Sequence, residues 1–434
     1  MGEDKVEKIV VRGGKKPCGR VKISGSKNAA LAILPAVLLA SEKVSLSNVP
    51  DIADVRTMLS ILEDLGLTIR RRGRNTLEFY PSRLRGYTPP YNLVQKMRAS
   101  SYLMGSLLAR FGRATVPIPG GCNLGPRPID QHLKGFTALG ATCQIEHGLI
   151  KLAAEKLTGA HIYLDVVSVG ATVNLMLAAV AAEGRTVLEN AAKEPEIVDL
   201  ANFLNAMGAV IKGAGTDVIK IDGVKNFGGV EHVIIPDRIE AGTFMITAAA
   251  TGGEIVVEEV IPKHLEAVTA KLRETGAEVE VEPEQIRVHR NGPLVPSDLK
   301  TFPYPGFPTD LQPLGMVLLT AARGTSIVTE NVFDGRFRHV DELKRMGAQI
   351  KVDGRTAVID GGVPLSGAPV SATDLRAGVA LLVAGLMAEG ETVLSEVDHI
   401  DRGYENIEEK LASLGVQIKR LQIRDSAKMA GDPG

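Results

Sequence analysis

Six copies of one short pattern divide the chain, and this internal repeat constrains the fold more than any other feature. In each copy a helical stretch leads to a glycine that a short β-like run follows. Successive glycines are 74, 68, 68, 71 and 68 residues apart. They are Gly66, Gly140, Gly208, Gly276, Gly347 and Gly415. We therefore predict six mixed α/β units, each consisting of a helix, a glycine that ends it and a strand, with a period of about 70 residues.

A second helical pattern alternates with the first and is apolar almost all round. It occurs at residues 29–40, 99–112, 171–184, 241–253, 310–324 and 375–390. A helix without a polar face is buried on every side, so these helices predict closed domains rather than an open array of repeats. Six units in a chain of this length predict two such α/β domains of three units each. We expect one domain at residues 27–235, carrying the loop 117–128. The other is discontinuous and combines residues 1–26 with 236–434.

Composition argues against several classes of protein. The chain has 50 Lys and Arg against 51 Asp and Glu, so no net charge favours nucleic acid or an anionic membrane as a partner. The apolar run at residues 29–40 is interrupted by Pro35 and is shorter than the about 20 residues of a transmembrane helix. No secretory signal opens the chain, and its three cysteines and eight histidines lack metal-ligand spacing. We expect a cytoplasmic protein that binds no metal.

Polar residues stand just before the buried helices, where free N–H groups and the helix dipole favour anions. Several such sites together would bind a polyanion. Taken singly, Ser168, Asp310 and Asp374 are equally explained as N-caps. Taken singly, Lys27, Arg98 and Arg376 are better explained as solvated surface charges. Six repeats that share the feature make both of these interpretations weaker.

One segment, PIPGGCNLGPRP at residues 117–128, is too rich in proline and glycine for regular structure. It predicts a loop that carries Cys122, with Arg127 five residues later. A nearby arginine lowers the pKa of a thiol and makes it reactive, whereas a buried cysteine acts as a small apolar side chain. The residues alone leave both possibilities open.

Longer motifs resemble a known enzyme family. They include GSKNAALAILPA, PGGCNLGPRPID, VSVGAT, PDRIEAGTF, GFPTDLQP, FDGRFRHVDELKRMGA, ATDLRAG and HIDRGYENIEEKL. Their order and spacing are similar to those of the UDP-N-acetylglucosamine 1-carboxyvinyltransferase family over nearly the whole chain. The resemblance implies two inside-out α/β barrels, each built from three βαβαββ units. It implies transfer of the enolpyruvyl group of phosphoenolpyruvate to the 3′-hydroxyl of UDP-N-acetylglucosamine, by addition and elimination, with release of phosphate.

The same resemblance places this reaction at the first committed step of peptidoglycan synthesis, without a cofactor, in a monomer or weak oligomer. It also implies the roles of individual residues. Cys122 would be the general acid, able to form a covalent adduct with phosphoenolpyruvate and sensitive to the epoxide fosfomycin. Asp310 would be the base near the sugar hydroxyl, although neighbouring cations make a carboxylate a weak base. Lys27 and Arg402 would complete the catalytic group.

Two sets of substrate contacts follow from the resemblance. Phosphoenolpyruvate would be held by Lys27, Asn28, Arg127, Arg336, Asp374, Arg376 and Arg402. UDP-N-acetylglucosamine would be held by Arg98, Arg127, Pro128, Ile129, Asp130, Gln131, Val166, Val167, Ser168, Val169, Asp310 and Val332. Some members have lysine at the position of Val166, so only a backbone contact is expected there.

Two alternative functions compete with this interpretation. The first is the sister enzyme that makes 5-enolpyruvylshikimate 3-phosphate on the same fold, a family that lacks the PGGC loop present here. The second is a catalytically silent protein that binds the nucleotide sugar. Retention of Lys27, Cys122, Asp310 and Arg402 argues against such a binder, and release of phosphate would exclude it.

Overall fold

The computed structural model describes residues 5–81, 84–120 and 128–424. Cys122 and Arg127 lie outside these ranges. Short 3₁₀ turns precede or extend helices at Val37–Leu39, Arg98–Tyr102, Pro262–Leu265 and Thr309–Leu311. The described helices are α1 (Lys27–Ala36), α2 (Ala53–Asp64), α3 (Tyr91–Val94), α4 (Leu103–Phe111), α5 (Asp130–Ala138), α6 (Val169–Ala179), α7 (Pro195–Ala206), α8 (Arg238–Thr251), α9 (Glu266–Glu274), α10 (Gln312–Thr320), α11 (Val340–Arg345), α12 (Leu375–Met387), α13 (Asp398–Asp401) and α14 (Ile407–Ser413).

The strands are short and lie in six sheets in the described part of the chain. They are β1 (Lys5–Arg12), β2 (Cys18–Lys22), β3 (Val44–Ser47), β4 (Thr68–Arg71), β5 (Leu77–Tyr80), β6 (Arg113–Pro117), β7 (Thr142–Glu146), β8 (Leu149–Ala153), β9 (His161–Tyr163), β10 (Arg185–Glu189), β11 (Val210–Lys212), β12 (Val218–Asp222), β13 (Val230–Val233), β14 (Glu254–Glu258), β15 (Glu278–Val281), β16 (Gln285–His289), β17 (Leu299–Lys300), β18 (Gly324–Thr329), β19 (Gln349–Asp353), β20 (Thr356–Gly361), β21 (Pro369–Ser371), β22 (Glu391–Ser395) and β23 (Gln417–Arg424).

The chain divides into two compact units. The middle unit comprises the described residues of 24–237 together with 303–305, and the terminal unit comprises 5–23, 238–302 and 306–424. Each unit has its own cluster of buried apolar side chains. The units change at 23/24 and 237/238, whereas the domains predicted from the sequence change after residues 26 and 235.

The repeat glycines end the amphipathic helices, as predicted. Helices α2, α5, α7, α9, α11 and α14 each stop two residues before the glycine, which has a positive φ between 84° and 106°. A side chain at such a φ clashes with its own backbone, so glycine is the residue that turns the chain here at least cost. A strand follows each turn.

The predicted apolar helices are α1, α4, α6, α8, α10 and α12, and all are buried on nearly every face. In the terminal unit α8, α10 and α12 pack on one another, and in the middle unit α4 packs on α1 and α6. The fit is tight, because a Cβ on Gly105 of α4 would lie 2.3 Å from the Asn174 carbonyl oxygen of α6. Each unit is thus an inside-out barrel, with buried helices inside and three sheets around them.

Five of the six described sheets share one arrangement, a parallel pair extended by two antiparallel strands. The order β13-β3-β5-β4 is an example, in which β3 leads through α2 to the β4–β5 hairpin. In the order β21-β22-β1-β23 the N-terminal strand β1 occupies the place of the second hairpin strand. The sixth repeat is therefore completed by the first strand of the chain. None of the helices in the described ranges is long and apolar enough to cross a membrane.

Candidate active site

In the terminal unit, Asp310 lies between two buried arginines. Its Oδ1 accepts a hydrogen bond from Arg336 Nη2 at 2.9 Å, and its Oδ2 accepts one from Arg376 Nη2 at 3.0 Å. The Asp310 side chain is 27% exposed, whereas those of Arg336 and Arg376 are 2% and 5% exposed. Asp310 thus presents a fixed carboxylate at the end of a buried charged cluster.

The arginines are themselves held by aromatic rings. The Arg336 guanidinium lies 5.5 Å from the Phe333 ring centroid, and that of Arg376 lies 5.4 Å from the Tyr404 ring centroid. Aromatic faces attract cations and pack against the flat guanidinium. Arg376 is buried, so its interpretation as a solvated surface charge is wrong.

Asp374 caps helix α12. Its Oδ1 accepts hydrogen bonds from the backbone N–H groups of Arg376 at 2.9 Å and Ala377 at 3.1 Å. Both bonds satisfy donors that a helix N-terminus leaves open. Asp374 is 7% exposed, and the N-cap role accounts for its orientation without a ligand. Its contact with phosphoenolpyruvate stays a prediction.

Glu330 is a residue of this site that sequence reasoning missed. It is fully buried, and its Oε1 accepts hydrogen bonds from the backbone N–H groups of Val332 at 2.8 Å and Phe333 at 3.1 Å. Its Oε2 accepts a bond from the Thr309 hydroxyl at 3.0 Å. Glu330 therefore fixes both Val332 and the turn that carries Asp310. No short motif links these residues, so the sequence offered no signal for it.

In the middle unit, Lys27 is the first residue of α1. Its Nζ lies 2.8 Å from Asp54 Oδ2, with side-chain exposures of 12% and 6%, so Lys27 is not a solvated surface charge. Its backbone N–H donates to Asp237 Oδ2 at 3.0 Å, and Ser26 caps the helix through Ala29. A cation is thereby held at a helix N-terminus, a combination that favours anions.

The next side chain, Asn28, is oriented by an acidic residue of α7. Asn28 Nδ2 donates a hydrogen bond to Glu196 Oε1 at 3.3 Å, and Glu196 is buried. Asn28 is thus fixed beside Lys27 at the start of α1. Glu196, like Asp54, was not identified from the sequence, because each is far along the chain from the residue it contacts.

The predicted nucleotide-sugar residues 128–131 and 166–169 are joined through Gln131 and Asp165. Gln131 Nε2 donates to Asp165 Oδ2 at 3.1 Å, and the Asp165 N–H donates back to Gln131 Oε1 at 2.9 Å. Bonds from Lys134, the larger effect, and from Gln131 lower the pKa of Asp165. Val166 and Val167 follow with exposed side chains, and Ser168 caps α6 through the Ala171 N–H at 3.2 Å. The structure therefore brings the two predicted segments together.

A buried pair, His132 and Asn174, supports the same region. Asn174 Oδ1 accepts from the Gly105 N–H at 2.8 Å, so its Nδ2 is the donor to His132 Nδ1 at 2.9 Å and to the Ser101 carbonyl at 3.1 Å. Burial above all, and then the charge of Arg98, lower the pKa of His132 to about 4. The imidazole is therefore neutral and accepts at Nδ1. His132 therefore has a structural role here.

Arg402 directly follows the short helix α13 in the terminal unit and is half-buried. Cys122 and Arg127, the other two residues predicted to meet phosphoenolpyruvate, lie outside the described residues. Within the described ranges, no group of three His, Cys, Asp or Glu side chains is arranged to hold a metal ion. The cationic side chains and helix N-termini described above suit an anionic substrate. The carboxylates suit proton transfer.

Comparison with known proteins identifies the family. A family model described as EPSP synthase (3-phosphoshikimate 1-carboxyvinyltransferase) matches residues 11–411. A UDP-N-acetylglucosamine 1-carboxyvinyltransferase of Caldanaerobacter subterraneus is 57% identical over 417 residues, which are 96% of this chain and 100% of the relative. The chain belongs to the UDP-N-acetylglucosamine 1-carboxyvinyltransferase family. Relatives from Bacillus and Geobacillus that are 54–56% identical have the same enzyme name.

Solved structures agree with the predicted fold. The enolpyruvyl transferase NikO of Streptomyces tendae has a TM-score of 0.88 and 26% identity, covering 97% of this chain and 100% of its own. EPSP synthase of Acinetobacter baumannii has a TM-score of 0.72 and 19% identity, covering 96% of this chain and 100% of its own. The predicted family and the fold of two barrels with six repeats are confirmed, and as a carboxyvinyltransferase family member the chain is a transferase.

Proposed function

We propose that this protein transfers the enolpyruvyl group of phosphoenolpyruvate to the 3′-hydroxyl of UDP-N-acetylglucosamine, with release of phosphate. The observation that carries the proposal is the 57% identity, over the whole of the relative, to an enzyme named for that nucleotide sugar. EPSP synthase, which its family name assigns to 3-phosphoshikimate, is only 19% identical in the solved structure. The nucleotide sugar is therefore the better candidate acceptor.

Phosphoenolpyruvate is an anion, and we assign its binding to cationic side chains and to a helix N-terminus. Lys27, at the N-terminus of α1, and Arg402 would contact it, together with Arg127 and Asn28. Arg336 and Arg376 are partly neutralised by Asp310, so we expect them to act as much on this carboxylate as on the substrate. Fixed cations in a site from which water is excluded also stabilise the charge that develops during addition.

Addition and elimination each require two proton transfers, one at the carbon C3 and one at an oxygen. In addition, the 3′-oxygen bonds to C2 of phosphoenolpyruvate, its proton passes to Asp310, and C3 takes up a proton from Cys122. In elimination, C3 returns a proton to the Cys122 thiolate and the double bond re-forms. The bond from C2 to the phosphate oxygen breaks, and the leaving phosphate takes up the proton held by Asp310. Asp310 is a weak base because two guanidiniums face it, but they also fix its orientation.

UDP-N-acetylglucosamine would be held by the residues around the Gln131 and Asp165 pair. The backbone N–H groups of Val169 and Gly170, in the first turn of α6, suit the diphosphate, because the helix itself does not use them and the Ser168 cap takes up that of Ala171. Arg98, Asp130 and Gln131 come from the neighbouring 3₁₀ turn and from α5. Asp310 and Val332 are the remaining residues that we propose for nucleotide-sugar contacts.

The test is release of phosphate from phosphoenolpyruvate. We expect release with UDP-N-acetylglucosamine and none with 3-phosphoshikimate or with either substrate alone. Cys122→Ala should reduce the rate at least about 100-fold, because it removes a positioned acid, whereas Cys143→Ala, in a half-buried strand position, should leave it unchanged. Release with 3-phosphoshikimate alone would contradict the proposed acceptor. No release with either acceptor would favour a silent binding protein.

A further inference from the structure

Arg420, on strand β23, contacts three carboxylates from three different elements. Its Nη1 and Nη2 donate to the two oxygens of Asp401 at 2.8 and 2.6 Å, and Nη1 also donates to Glu7 Oε2 on β1 at 2.8 Å. Its Nε donates to Glu408 of α14. The Arg420 side chain is 25% exposed, so these bonds are partly shielded from water.

The bond to Asp401 matters because Arg402 is the next residue. Asp401 is the last residue of α13, a helix of one turn. A single turn is not stable by its own hydrogen bonds and depends on contacts with the rest of the protein. A bidentate hydrogen bond between a guanidinium and a carboxylate fixes the orientation of the two groups as well as their distance. Arg420 thus attaches the residue before Arg402 to the sheet of β1 and β23.

A second anchor lies just after Arg402. The Tyr404 hydroxyl is 2.8 Å from the Thr243 hydroxyl of α8, and its ring packs against the Arg376 guanidinium. Tyr404 is 3% exposed. The backbone that carries Arg402 is therefore fixed on the core side by Tyr404 and on the sheet side by Arg420.

Electrostatics reinforces the sheet-side anchor. The hydrogen bond from Arg420, more than that from Gln422, lowers the pKa of Glu7, and Asp401 is the main cause of a raised pKa of Arg420. Arg420 is the cation that Asp401, Glu7 and Glu408 share. Without Arg420 they would repel one another. Loss of Arg420 would therefore move Asp401 away from its position, in addition to breaking its hydrogen bonds.

We propose that Arg420 is a positioning residue for Arg402, acting through Asp401 to set how well the protein binds phosphoenolpyruvate. The inference rests on the proposed function, in which Arg402 contacts that substrate. Arg420 does not belong to the predicted site residues. It lies 18 positions after Arg402, and it acts across a sheet instead of touching a reacting atom.

The test uses the full chain and the variant Arg420→Gln. We expect the KM for phosphoenolpyruvate to rise roughly 10- to 100-fold, because a misplaced binding group costs this much. The KM for UDP-N-acetylglucosamine should change by less than about twofold, since that substrate does not depend on Arg402. Arg287→Gln is the matched control, because Arg287 bonds Glu254 and Glu280 across a sheet of the same unit, away from Arg402.

Asp401→Asn provides the second variant and leaves Arg420 bound to Glu7 and Glu408. If Arg420 acts through Asp401, the double variant should be no worse than the worse single variant. Arg420→Lys should bind phosphoenolpyruvate better than Arg420→Gln, because lysine keeps the positive charge although it cannot make the bidentate contact.

Several outcomes would overturn the inference. A lower melting temperature in Arg420→Gln with both KM values unchanged would make Arg420 merely structural. An equal rise of both KM values, or additive effects in the double variant, would exclude action through Asp401. If Arg420→Gln does not fold, an unchanged KM for phosphoenolpyruvate in Asp401→Asn overturns the inference instead. Absence of phosphate release by the unmodified protein would contradict the proposed function itself.

Discussion

The orientation of Asp310 is fixed by two buried arginines that contact its carboxylate. Arg336 and Arg376 are buried cations, and removing a cation from water costs more than most contacts return unless a carboxylate faces it. Asp310 supplies that carboxylate with one oxygen for each arginine. The side chain proposed as base is therefore also the counter-ion of the site.

This double role predicts two effects of Asp310→Asn. We expect the rate of phosphate release to fall at least about 100-fold, because the amide cannot accept the proton. We also expect the free energy of unfolding to fall by about 2 kcal/mol, because two charge-assisted hydrogen bonds to buried arginines are weakened. Steady-state phosphate assays and urea unfolding measure the two effects.

Asp360→Asn is the matched control. Asp360 is exposed and bonds the Thr325 hydroxyl on the neighbouring strand, so both quantities should stay near those of the unmodified protein. Native activity in Asp310→Asn would contradict a role in proton transfer, whereas native stability would contradict the role as counter-ion.

At the scale of the element, the turn glycines were the most predictable feature and explain why the helices end where they do. Gly66 and Gly415 belong to the first and last copies of the repeat, and both have positive φ. The pattern is visible in the sequence because its cause is local, namely the backbone conformation of one residue. The buried helices were also predictable, because an absence of polar residues is a local property.

What the sequence could not provide is the set of partners across the fold. Asp54 faces Lys27, Gln131 pairs with Asp165, and Arg420 holds Asp401. Each contact joins residues that are distant in sequence, and each uses a polar residue type that is common on surfaces. Tertiary folding alone makes these residues neighbours, and no spacing rule of a helix or a strand connects them.

The glycine turns support a prediction about Gly415→Ala. Its φ is +84°, and an added Cβ would meet no atom within 4 Å, so any effect comes from the backbone conformation alone. We expect the free energy of unfolding to fall by about 1 kcal/mol, with partial recovery in Gly415→Asn, because asparagine tolerates positive φ better. Urea unfolding is the measurement.

Gly292→Ala is its control. A Cβ at Gly292 also meets nothing within 4 Å, and the residue does not have a φ in the left-handed range. We expect unchanged or slightly higher stability there. Equal losses at both positions would show that conformation is not the cause.

At the scale of the whole molecule, each of the two units buries one neutral histidine. Burial, followed by the charge of Arg98, lowers the pKa of His132 to about 4 in the middle unit. Burial, with a further contribution from Arg336, lowers the pKa of His339 to about 4 in the terminal unit, although Asp374 opposes the shift. Both pKa values lie below the about 6.5 of an unfolded histidine.

A pH dependence of stability follows, with its sign fixed by these shifts. Between pH 6.5 and 4 the unfolded chain binds a proton at each histidine that the folded chain does not bind. The free energy of unfolding should therefore fall as the pH falls through this window, approaching about 1.4 kcal/mol per pH unit for each histidine. Urea unfolding between pH 7 and 5 measures this slope of the free energy of unfolding. Most carboxylates titrate below this pH range and so contribute little to it.

Three histidine variants test whether His132 and His339 cause this pH dependence of stability. His132→Gln and His339→Gln should each flatten the dependence, whereas His147→Gln, which removes an exposed histidine from the β7–β8 turn, should not. A slope that is the same in all three variants would contradict the assignment.

The pairing of β1 with β23 has a consequence for synthesis on the ribosome. Every strand of the sheets in the middle unit lies between β3 and β13, so that unit can complete its sheets once about half of the chain has emerged. Strand β1, made first, has partners that begin only at Glu391 and Gln417, and β2 waits for β14. The segment from β3 to β13 is therefore able to fold before the terminal unit, and β1 must stay unpaired until β22 and β23 have been made.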